Sequence, residues 1–505
     1  MTTDRQGRDA LVALGLFLAG ILTRLPFRSQ VLYHWDSVNF ALGMEHFDVY
    51  LHQPHPPGYF LYVMLGRLVN LLSGDANASL VWISTVGTGL AAVVIFFLGR
   101  SLWDRRTGIV AALLLLSSPL FWFHGEVALS YMIEAVFVML VGLLCYRHLT
   151  GTDDRIWLSA LVLGVAGGFR QNTMVFLLPL WVAAVWRFRW RRMLLALLVL
   201  ALTCAAWLLP MMILTGGVTR YWRAVGGAGQ GIAEESSLFD VKQMAINGGR
   251  LMVYAGYALF MGLIPLALGA WYWEKSHVKG WRTWVRSPRV RLFFWWIVPS
   301  MVFYLFIHIR QPGHSFTFMP AVLLILAFLL TTVIPQAVSR WQYSKQWSDA
   351  LLVLIILSNV AFFLTAPPFL FGQERQALNT SSWRSIHTRD VTVGEKLAYI
   401  RGHFSPEHTA VLATRFDFRL PDYYLRDYQS PSLSYQITGS SNNIRVGGDV
   451  KVLVLFNEDV GVENGRQNLQ VQLLGCGESL RWLERSEGQE FIISASGVGL
   501  LDENE

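Results

Sequence analysis

Long apolar segments recur along most of this chain, and they constrain its fold more than any other feature. A helix that crosses a membrane needs about 20 mostly apolar residues, and roughly eleven segments approach that length. Only 15% of the residues are charged, against about 25% in soluble proteins. The pattern predicts an α-helical polytopic membrane protein. The predicted spans are 10–25, 76–98, 108–123, 128–146, 156–169, 173–186, 193–214, 250–273, 292–307, 316–333 and 350–365.

Basic residues are distributed unevenly between the connecting loops, which predicts an orientation. Residues 1–372 contain 28 Lys+Arg, and 19 of these fall on the inner face if the N-terminus is cytoplasmic. This bias agrees with the positive-inside rule. The pI of about 9.3 therefore describes loops beside membrane lipids rather than a nucleic-acid surface. We expect an integral multi-pass protein with the loop 26–75 and the C-terminal domain outside the cytoplasm.

The composition changes after residue 372. Residues 373–505 contain 13 Lys+Arg and 18 Asp+Glu, and helical and strand patterns alternate there. Such alternation indicates a small α/β domain. We predict a transmembrane domain at 1–372 and a soluble outer domain at 373–505. In the outer domain the predicted helices are 391–403 and 420–428, and the predicted strands are 410–413, 451–456, 469–474 and 491–495.

A polar stretch, 33–59, lies between the first two long apolar segments. It contains Asp36 and four histidines and ends in His-Pro-Pro-Gly-Tyr, which cannot continue a helix. A carboxylate at the membrane boundary could take a proton from a hydroxyl or amine as it attacks a sugar carbon. The alternative for Asp36 is a solvated loop acid or an interfacial salt bridge.

The histidines of this stretch favour ligand binding over a metal site. His34, His52 and His55 could hold a divalent metal together with Asp36, but their spacing matches no tight ligand motif. Hydrogen bonds to a phosphate or a sugar are the favoured interpretation. A divalent metal stays an open alternative, and we assign no metal ligand and no other cofactor.

Acids near the fourth apolar segment form a second candidate group. The run 124–134 contains Glu126, Tyr131 and Glu134. An acid within a membrane helix is costly to bury, so Glu134 is a candidate catalytic residue beside Asp36. The alternative is a hydrogen bond that packs this helix against its neighbour. Glu126 and Tyr131 are candidate substrate-binding residues.

Two basic positions could bind a phosphate. Arg170 follows Gly-Gly-Phe and precedes Gln171 between two short spans, and a guanidinium can hold a phosphate through two hydrogen bonds. Its alternative is snorkelling to lipid headgroups. Arg310 and His314 lie in a basic loop between two later spans, where headgroup anchoring is the alternative.

Together these residues resemble the GT-C glycosyltransferases, especially the protein O-mannosyltransferases and the lipid A aminoarabinose transferases. In that superfamily an acid in the first outer loop is the catalytic carboxylate, and Asp36 takes that place. The resemblance further implies that Glu134 is the acid of the fourth span and that Arg170 and the 310–314 loop bind the donor phosphate. Ser37 stands where mannosyltransferases often have Glu, which leaves the sugar open.

The resemblance implies an enzyme that moves a sugar from a polyprenyl-phosphate donor to a lipid, glycan or protein acceptor. A transporter or flippase of a lipid-linked sugar is the rival hypothesis, and it predicts polar residues spread through the membrane midplane. A structural or sensory membrane protein is the third. The clustering of acids and bases toward one face favours the enzyme.

Overall fold

The computed structural model of this chain divides into two compact units. The first contains Met1–Arg28 and Phe47–Ser385, and the second contains Ser29–His46 and Ile386–Glu505. The second unit therefore combines part of the first predicted outer loop with the C-terminal part of the chain. The structure describes residues 2–235, 240–269, 286–307, 309–337, 344–368, 380–414, 417–429, 444–446, 449–458, 460–462, 469–486, 489–494 and 497–502.

Helices build the first unit. Several begin at a side-chain cap, because the carboxylates of Asp75 and Asp104 accept backbone N–H groups of the first turn. In chain order, with α2 in the second unit, they are α1 (Thr2–Leu22), α3 (Phe60–Ser73), α4 (Ala76–Leu102), α5 (Arg105–Ser117), α6 (Pro119–His124), α7 (Tyr131–Thr150), α8 (Ile156–Phe169), α9 (Gln171–Val185), α10 (Trp190–Leu214), α11 (Val218–Glu235), α12 (Val241–Leu259), α13 (Pro288–Phe306), α14 (Met319–Phe328), α15 (Ile334–Ala337) and α16 (Ser344–Thr365).

Eight helical stretches among the described residues are long and apolar enough to cross a membrane. Three of the eleven predicted spans correspond to shorter helices. The span 108–123 is broken between α5 and α6, because Pro119 starts a new helix after Ser118. The spans 156–169 and 173–186 correspond to α8 and α9, which have 14 and 15 residues. The end of the predicted span 250–273, from residue 270, lies outside the described residues.

Small residues allow close helix packing in this unit. An added Cβ at Gly89 of α4 would lie 2.8 Å from the carbonyl oxygen of Phe17 in α1, and one at Gly108 would clash with the carbonyl of Phe96. Helices in membranes associate through such close backbone approach, since apolar burial offers little advantage there. The helix α4 is accordingly one of the best buried elements of the unit.

The second unit is a small α/β structure. Its helices are α2 (Trp35–Glu45), α17 (Trp383–His403, whose first residues belong to the first unit) and α18 (Leu420–Tyr424). Its strands are β1 (Thr409–Leu412), β2 (Ile444–Val446), β3 (Val452–Leu455), β4 (Leu469–Leu473), β5 (Ser479–Glu484), β6 (Gln489–Ser494) and β7 (Gly497–Asp502).

These strands form two sheets. One has the order β1-β3-β5-β4, in which β1 and β3 are parallel and the other pairs are antiparallel. The other is antiparallel with the order β2-β6-β7. Their apolar side chains share one core that includes Leu412, Leu453 and Phe491.

The predicted fold class is confirmed, with a helical membrane body and a small C-terminal sheet domain. The predicted strands at 410–413, 451–456 and 469–474 correspond to β1, β3 and β4. Strands β2, β5 and β7 were not predicted. The strand predicted at 491–495 corresponds to β6, although residue 495 lies outside the described part of the chain.

Candidate active site

A buried ion pair joins two of the predicted site residues in the first unit. Glu134 lies in the first turn of α7, and Arg170 is the single residue between α8 and α9. The Arg170 Nε is 2.9 Å from the Glu134 Oε2, and these side chains are only 7% and 1% exposed. Thr173, in the first turn of α9, donates its hydroxyl proton to Glu134 Oε1 at 2.9 Å. The acid therefore has a partner at each oxygen.

Arg170 has further contacts that compensate for its loss of water. Its Nη1 donates to the Ser130 hydroxyl at 3.2 Å. The guanidinium lies 4.3 Å from the ring centre of Tyr131 and 5.5 Å from that of Tyr59, distances at which a cation is attracted to an aromatic face. A buried charge is tolerated only when it is paired and hydrogen-bonded in this way.

Tyr131 connects this pair to the loop that follows α13. Its hydroxyl donates to Gln311 Oε1 at 2.7 Å. Gly313 packs directly on the ring, since an added Cβ there would lie 2.3 Å from Tyr131 carbons. The His314 ring stacks on Tyr304 at 5.7 Å and lies 6.5 Å from the ring of Tyr131. His314 is therefore brought to the Glu134 and Arg170 cluster.

Arg310 belongs to the same loop, and its side chain is exposed. Its backbone carbonyl accepts the Tyr254 hydroxyl at 2.8 Å, and the neighbouring carbonyl of Ile309 accepts Arg250 Nη1 at 2.9 Å. Two side chains of α12 thus hold the loop backbone.

The proline-rich end of the first loop is hydrogen-bonded to side chains of α9 and α11. Gln171 Nε2 and the Tyr221 hydroxyl both donate to the carbonyl of Pro57, at 3.3 and 3.1 Å. The His55 ring lies 4.7 Å from the ring of Tyr59. Tyr59 in turn contacts the Arg170 guanidinium.

Two non-glycine residues of this loop have left-handed backbone conformations. His52 has a φ of 57° and Tyr59 a φ of 43°. Such conformations are costly for side-chain-bearing residues and concentrate at functional sites. Tyr59 has this strained backbone conformation at the position where its ring lies 5.5 Å from the Arg170 guanidinium.

Glu126, the other acid of this region, lies near Arg24 rather than Arg170. It is fully buried, and Arg24 of the first unit is the main cation that acts on it. Arg24 is also fully buried, donates to the carbonyl of Leu116 at 2.8 Å, and lies 4.6 Å from the centre of the Trp122 ring. Glu126 and Glu134 are therefore compensated by separate arginines.

Asp36 lies in the second unit, in the first turn of α2. Its side chain is 12% exposed, and its Oδ2 is 3.4 Å from His34 Nδ1. His34 is the N-cap of the helix: its Nδ1 accepts the backbone N–H of Asp36 at 3.1 Å, and Ser37 Oγ accepts the backbone N–H of His34. A carboxylate is favoured at a helix N-terminus, where unpaired N–H groups give a partial positive charge.

Side chains of the C-terminal part surround the segment that leads to Asp36. The carboxylate of Asp390 accepts Ser29 Oγ and the backbone N–H groups of Gln30 and Val31, at 2.8, 2.9 and 3.2 Å. The Tyr424 hydroxyl accepts the N–H of Leu32 at 2.9 Å. These contacts were not predicted, because 359 to 392 residues separate the partners along the chain.

A charged pair supports the same segment. Arg389 Nε donates to the carbonyl of Tyr33 at 3.2 Å, and its Nη2 is 2.5 Å from Asp417 Oδ1. Burial alone would lower the pKa of Arg389, but Asp417 outweighs it and raises the pKa above the usual range. Burial raises the pKa of Asp390, and the three hydrogen bonds that it accepts oppose that shift.

No three His, Cys, Asp or Glu side chains gather as metal ligands in the part of the chain that the structure describes. His34 and Asp36 belong to one unit, and His52 and His55 to the other. The residues that sequence reasoning did not single out are Tyr59, Thr173, Tyr304 and Gln311. Tyr59 and Gln311 lay in stretches whose polar residues had drawn attention, whereas Thr173 and Tyr304 lay in predicted apolar spans.

Comparisons with known proteins bear on the fold of the chain. The family model described as dolichyl-phosphate-mannose-protein mannosyltransferase matches residues 54–214. ArnT from Cupriavidus metallidurans bound to undecaprenyl phosphate has a similar structure, with a TM-score of 0.51 and 13% identity, over 90% of this chain and 93% of that one. The chain has the GT-C fold. The resemblance expected from its sequence is confirmed, and it is an integral multi-pass membrane protein.

Two further structures are similar at lower scores. ArnT in its apo state has a TM-score of 0.48 and 12% identity, over 90% of this chain and 93% of that chain. The archaeal oligosaccharyltransferase AglB from Archaeoglobus fulgidus, in complex with an inhibitory peptide and a dolichol-phosphate, has a TM-score of 0.46 and 12% identity, over 89% of this chain and 69% of that one. No curated protein sequence matches the chain.

Proposed function

We propose that this protein is a membrane glycosyltransferase that takes a sugar from a polyprenyl-phosphate donor. The observation that carries the proposal is the GT-C fold shared with ArnT over 90% of the chain, since that ArnT was bound to undecaprenyl phosphate. The match of residues 54–214 to the dolichyl-phosphate-mannose-protein mannosyltransferase family supports a donor of the same chemical class. The acceptor is a lipid, a glycan or a protein at the outer face of the membrane.

In this proposal Asp36 is the catalytic base. An acceptor hydroxyl or amine attacks the anomeric carbon, the bond between that carbon and the phosphate oxygen breaks, and polyprenyl phosphate leaves with the bonding electrons. The acceptor proton passes to the Asp36 carboxylate. A single displacement inverts the anomeric carbon. His34 accepts the backbone N–H of Asp36 at its Nδ1, and this helix cap holds the carboxylate in position.

The arginines neutralise the leaving phosphate, which then needs no proton from the protein. Arg170 uses Nε for Glu134 and an Nη1 proton for Ser130, and a guanidinium has five N–H donors. In this proposal its other donors bind the phosphate, and Glu134 fixes its orientation. Arg310, exposed on the loop beside Tyr131, is a second phosphate ligand. Glu126, Tyr131, Gln171, His52, His55 and His314 line the substrate-binding region.

The test is transfer by purified protein. Undecaprenyl phosphate carrying a radiolabelled hexose or pentose is offered in vesicles together with the lipid and glycan fraction of the host envelope. We expect release of undecaprenyl phosphate and label in the acceptor fraction. Asp36→Asn should lower the rate by at least about 100-fold, because general base catalysis contributes on the order of 10²–10⁴.

Asp349→Asn is the matched control. Asp349 has a side chain that is 61% exposed and pairs with Arg106 on the surface, so the same Asp-to-Asn change there should leave the rate within about twofold. Full activity of Asp36→Asn would show that Asp36 is not the catalytic base. Movement of intact donor across the vesicle membrane without release of undecaprenyl phosphate would identify a flippase instead.

A further inference from the structure

The C-terminal part of the chain shares a compact unit with Ser29–His46, the segment that carries Asp36. We propose that Asp390 and Arg419 of this part are positioning residues for Asp36, so that the C-terminal part belongs to the catalytic apparatus. This inference rests on the proposed function, in which Asp36 is the base. It assigns a role to a region whose sequence alone indicated no chemistry.

The first observation is a continuous set of contacts to the backbone just before α2. The N–H groups of Gln30 and Val31 donate to Asp390, and the N–H of Leu32 donates to the Tyr424 hydroxyl. The carbonyl of Tyr33 accepts from Arg389. Four consecutive residues are thus held by side chains of α17 and α18, and these contacts fix the path of the backbone rather than its side chains.

The second observation concerns the face of α2 that carries Asp36. Asn39 is three residues later, and residues three apart lie on the same face of a helix. Arg419 Nε donates to Asn39 Oδ1 at 3.2 Å, and its Nη1 is 3.0 Å from Asp422 Oδ2, which fixes the guanidinium. Next to Arg419, the Phe418 ring meets the Trp35 ring edge to face at 5.7 Å.

The third observation is that α2 is held along its whole length. Arg426 Nη1 lies 2.6 Å from Glu45 Oε2 at the last residue of the helix. The helix side chains between its ends are buried, Val38 and Ala41 completely. The segment before α2, the helix face at Asn39 and the last residue, Glu45, each have a partner in the C-terminal part. These contacts leave α2 little freedom to shift or rotate.

These contacts matter for catalysis because they fix the position of the Asp36 carboxylate. A general base acts only within hydrogen-bond reach of the proton that it removes, and a displacement of about 1 Å can cost about 100-fold in rate. Groups of this kind must be held by neighbours whose own conformations are fixed. Asp390 contacts three groups of the segment at once, and Arg419 is itself fixed by its ion pair with Asp422.

The experiment is a kinetic comparison of Asp390→Asn and Arg419→Gln in the full-length protein, with rates normalised to folded protein. Asp390→Asn preserves the shape of the side chain and Arg419→Gln shortens it, and both remove the charge that organises the contacts. We expect kcat to fall by about 10-fold or more and KM for the lipid-linked sugar to stay within twofold, since neither side chain is proposed to touch the donor. Amide hydrogen exchange in 29–46 should rise in both variants.

Lys396→Met is the matched control for general weakening of the unit. Lys396 lies on α17 like Asp390 and has a 4% exposed side chain, but its partner is Glu478, at 2.6 Å. Its substitution should leave kcat and the exchange of 29–46 unchanged. A variant that raises KM for the acceptor while kcat stays constant would overturn the proposal in favour of acceptor selection.

A double variant separates this proposal from the one on which it rests. If Asp390 acts through Asp36, then Asp390→Asn should cost nothing further in an Asp36→Asn background, because effects on one functional unit are not additive. A multiplicative loss would overturn the positioning role. Full activity of Asp36→Asn would instead reject Asp36 as the base. Loss in Asp36→Asn with full kcat in both Asp390→Asn and Arg419→Gln would reject only the positioning role.

Discussion

Glu134 and Arg170 form a buried charge pair within the helical body. Each is almost fully buried, and each compensates the other across 2.9 Å. The sequence identified both as candidates, for separate reasons, but it predicted a phosphate as the partner of Arg170. Their mutual pairing depends on how α7 meets the junction of α8 and α9, which neither local sequence specifies.

The pair can be tested by a double-mutant cycle. Glu134→Gln or Arg170→Gln alone leaves one buried charge without its partner, and breaking a buried pair costs about 3–5 kcal/mol. The double variant Glu134→Gln/Arg170→Gln leaves two neutral amides that can bond to each other. We therefore expect the double variant to have a higher thermal unfolding temperature in detergent than either single variant.

Strictly additive destabilisation would contradict this interpretation of the pair. The exposed ion pair between Arg192 and Asp154, at 2.7 Å with side chains 52% and 65% exposed, is the natural control. The same cycle there should show coupling of less than about 1 kcal/mol, because water and salt screen exposed charges.

Among the elements, the short 3₁₀ helix Pro312–Thr317 depends on one glycine. Gly313 contacts the Tyr131 ring so closely that an added Cβ would lie 2.3 Å from its carbons. Gly313→Ala must therefore displace Tyr131, which stacks on Arg170 and bonds Gln311. We expect a loss of transfer activity of about 10-fold or more, because small displacements in a site are costly.

Gly256→Ala is the corresponding control in α12. Nothing lies within 4 Å of a Cβ built there, and alanine is favoured over glycine in a helix by about 1 kcal/mol. This variant should keep its activity and become slightly more stable. Full activity in Gly313→Ala would contradict a role for the Tyr131 position.

The elements that the sequence predicted well are those with a strong local pattern. Long apolar runs identified α4, α7 and α10, and the apolar run 452–455 identified β3. The strand β5 was missed because Arg481 and Glu484 interrupt its pattern, and its identity as a strand comes from pairing with β3 and β4. The sequence also did not reveal that 29–46 belongs to the second unit, because the partners of this segment are more than 350 residues away along the chain.

At the scale of the whole molecule, the sequence established the fold class and family resemblance, while the orientation stays a prediction. Among the residues that the structure describes, eight helices are long and apolar enough to span a membrane, but neither length nor composition tells which end of a helix faces the cytoplasm. Only the distribution of Lys and Arg breaks this symmetry, because basic residues are retained on the cytoplasmic face. It predicts a cytoplasmic N-terminus and an outer C-terminal part.

Cysteine labelling can test that orientation. In a background of Cys145→Ala, Cys204→Ala and Cys476→Ala, a single cysteine is introduced by Val471→Cys in β4, where the native side chain is 57% exposed. A membrane-impermeant maleimide should label this protein in intact spheroplasts, because we expect the C-terminal part to lie outside the cytoplasm. Asp154→Cys in the same background, at the predicted inner loop between α7 and α8 and similarly exposed, should react only after permeabilisation. The opposite result at both positions would invert the topology and place Asp36 on the cytoplasmic side, where a base for an extracytoplasmic acceptor would have no substrate.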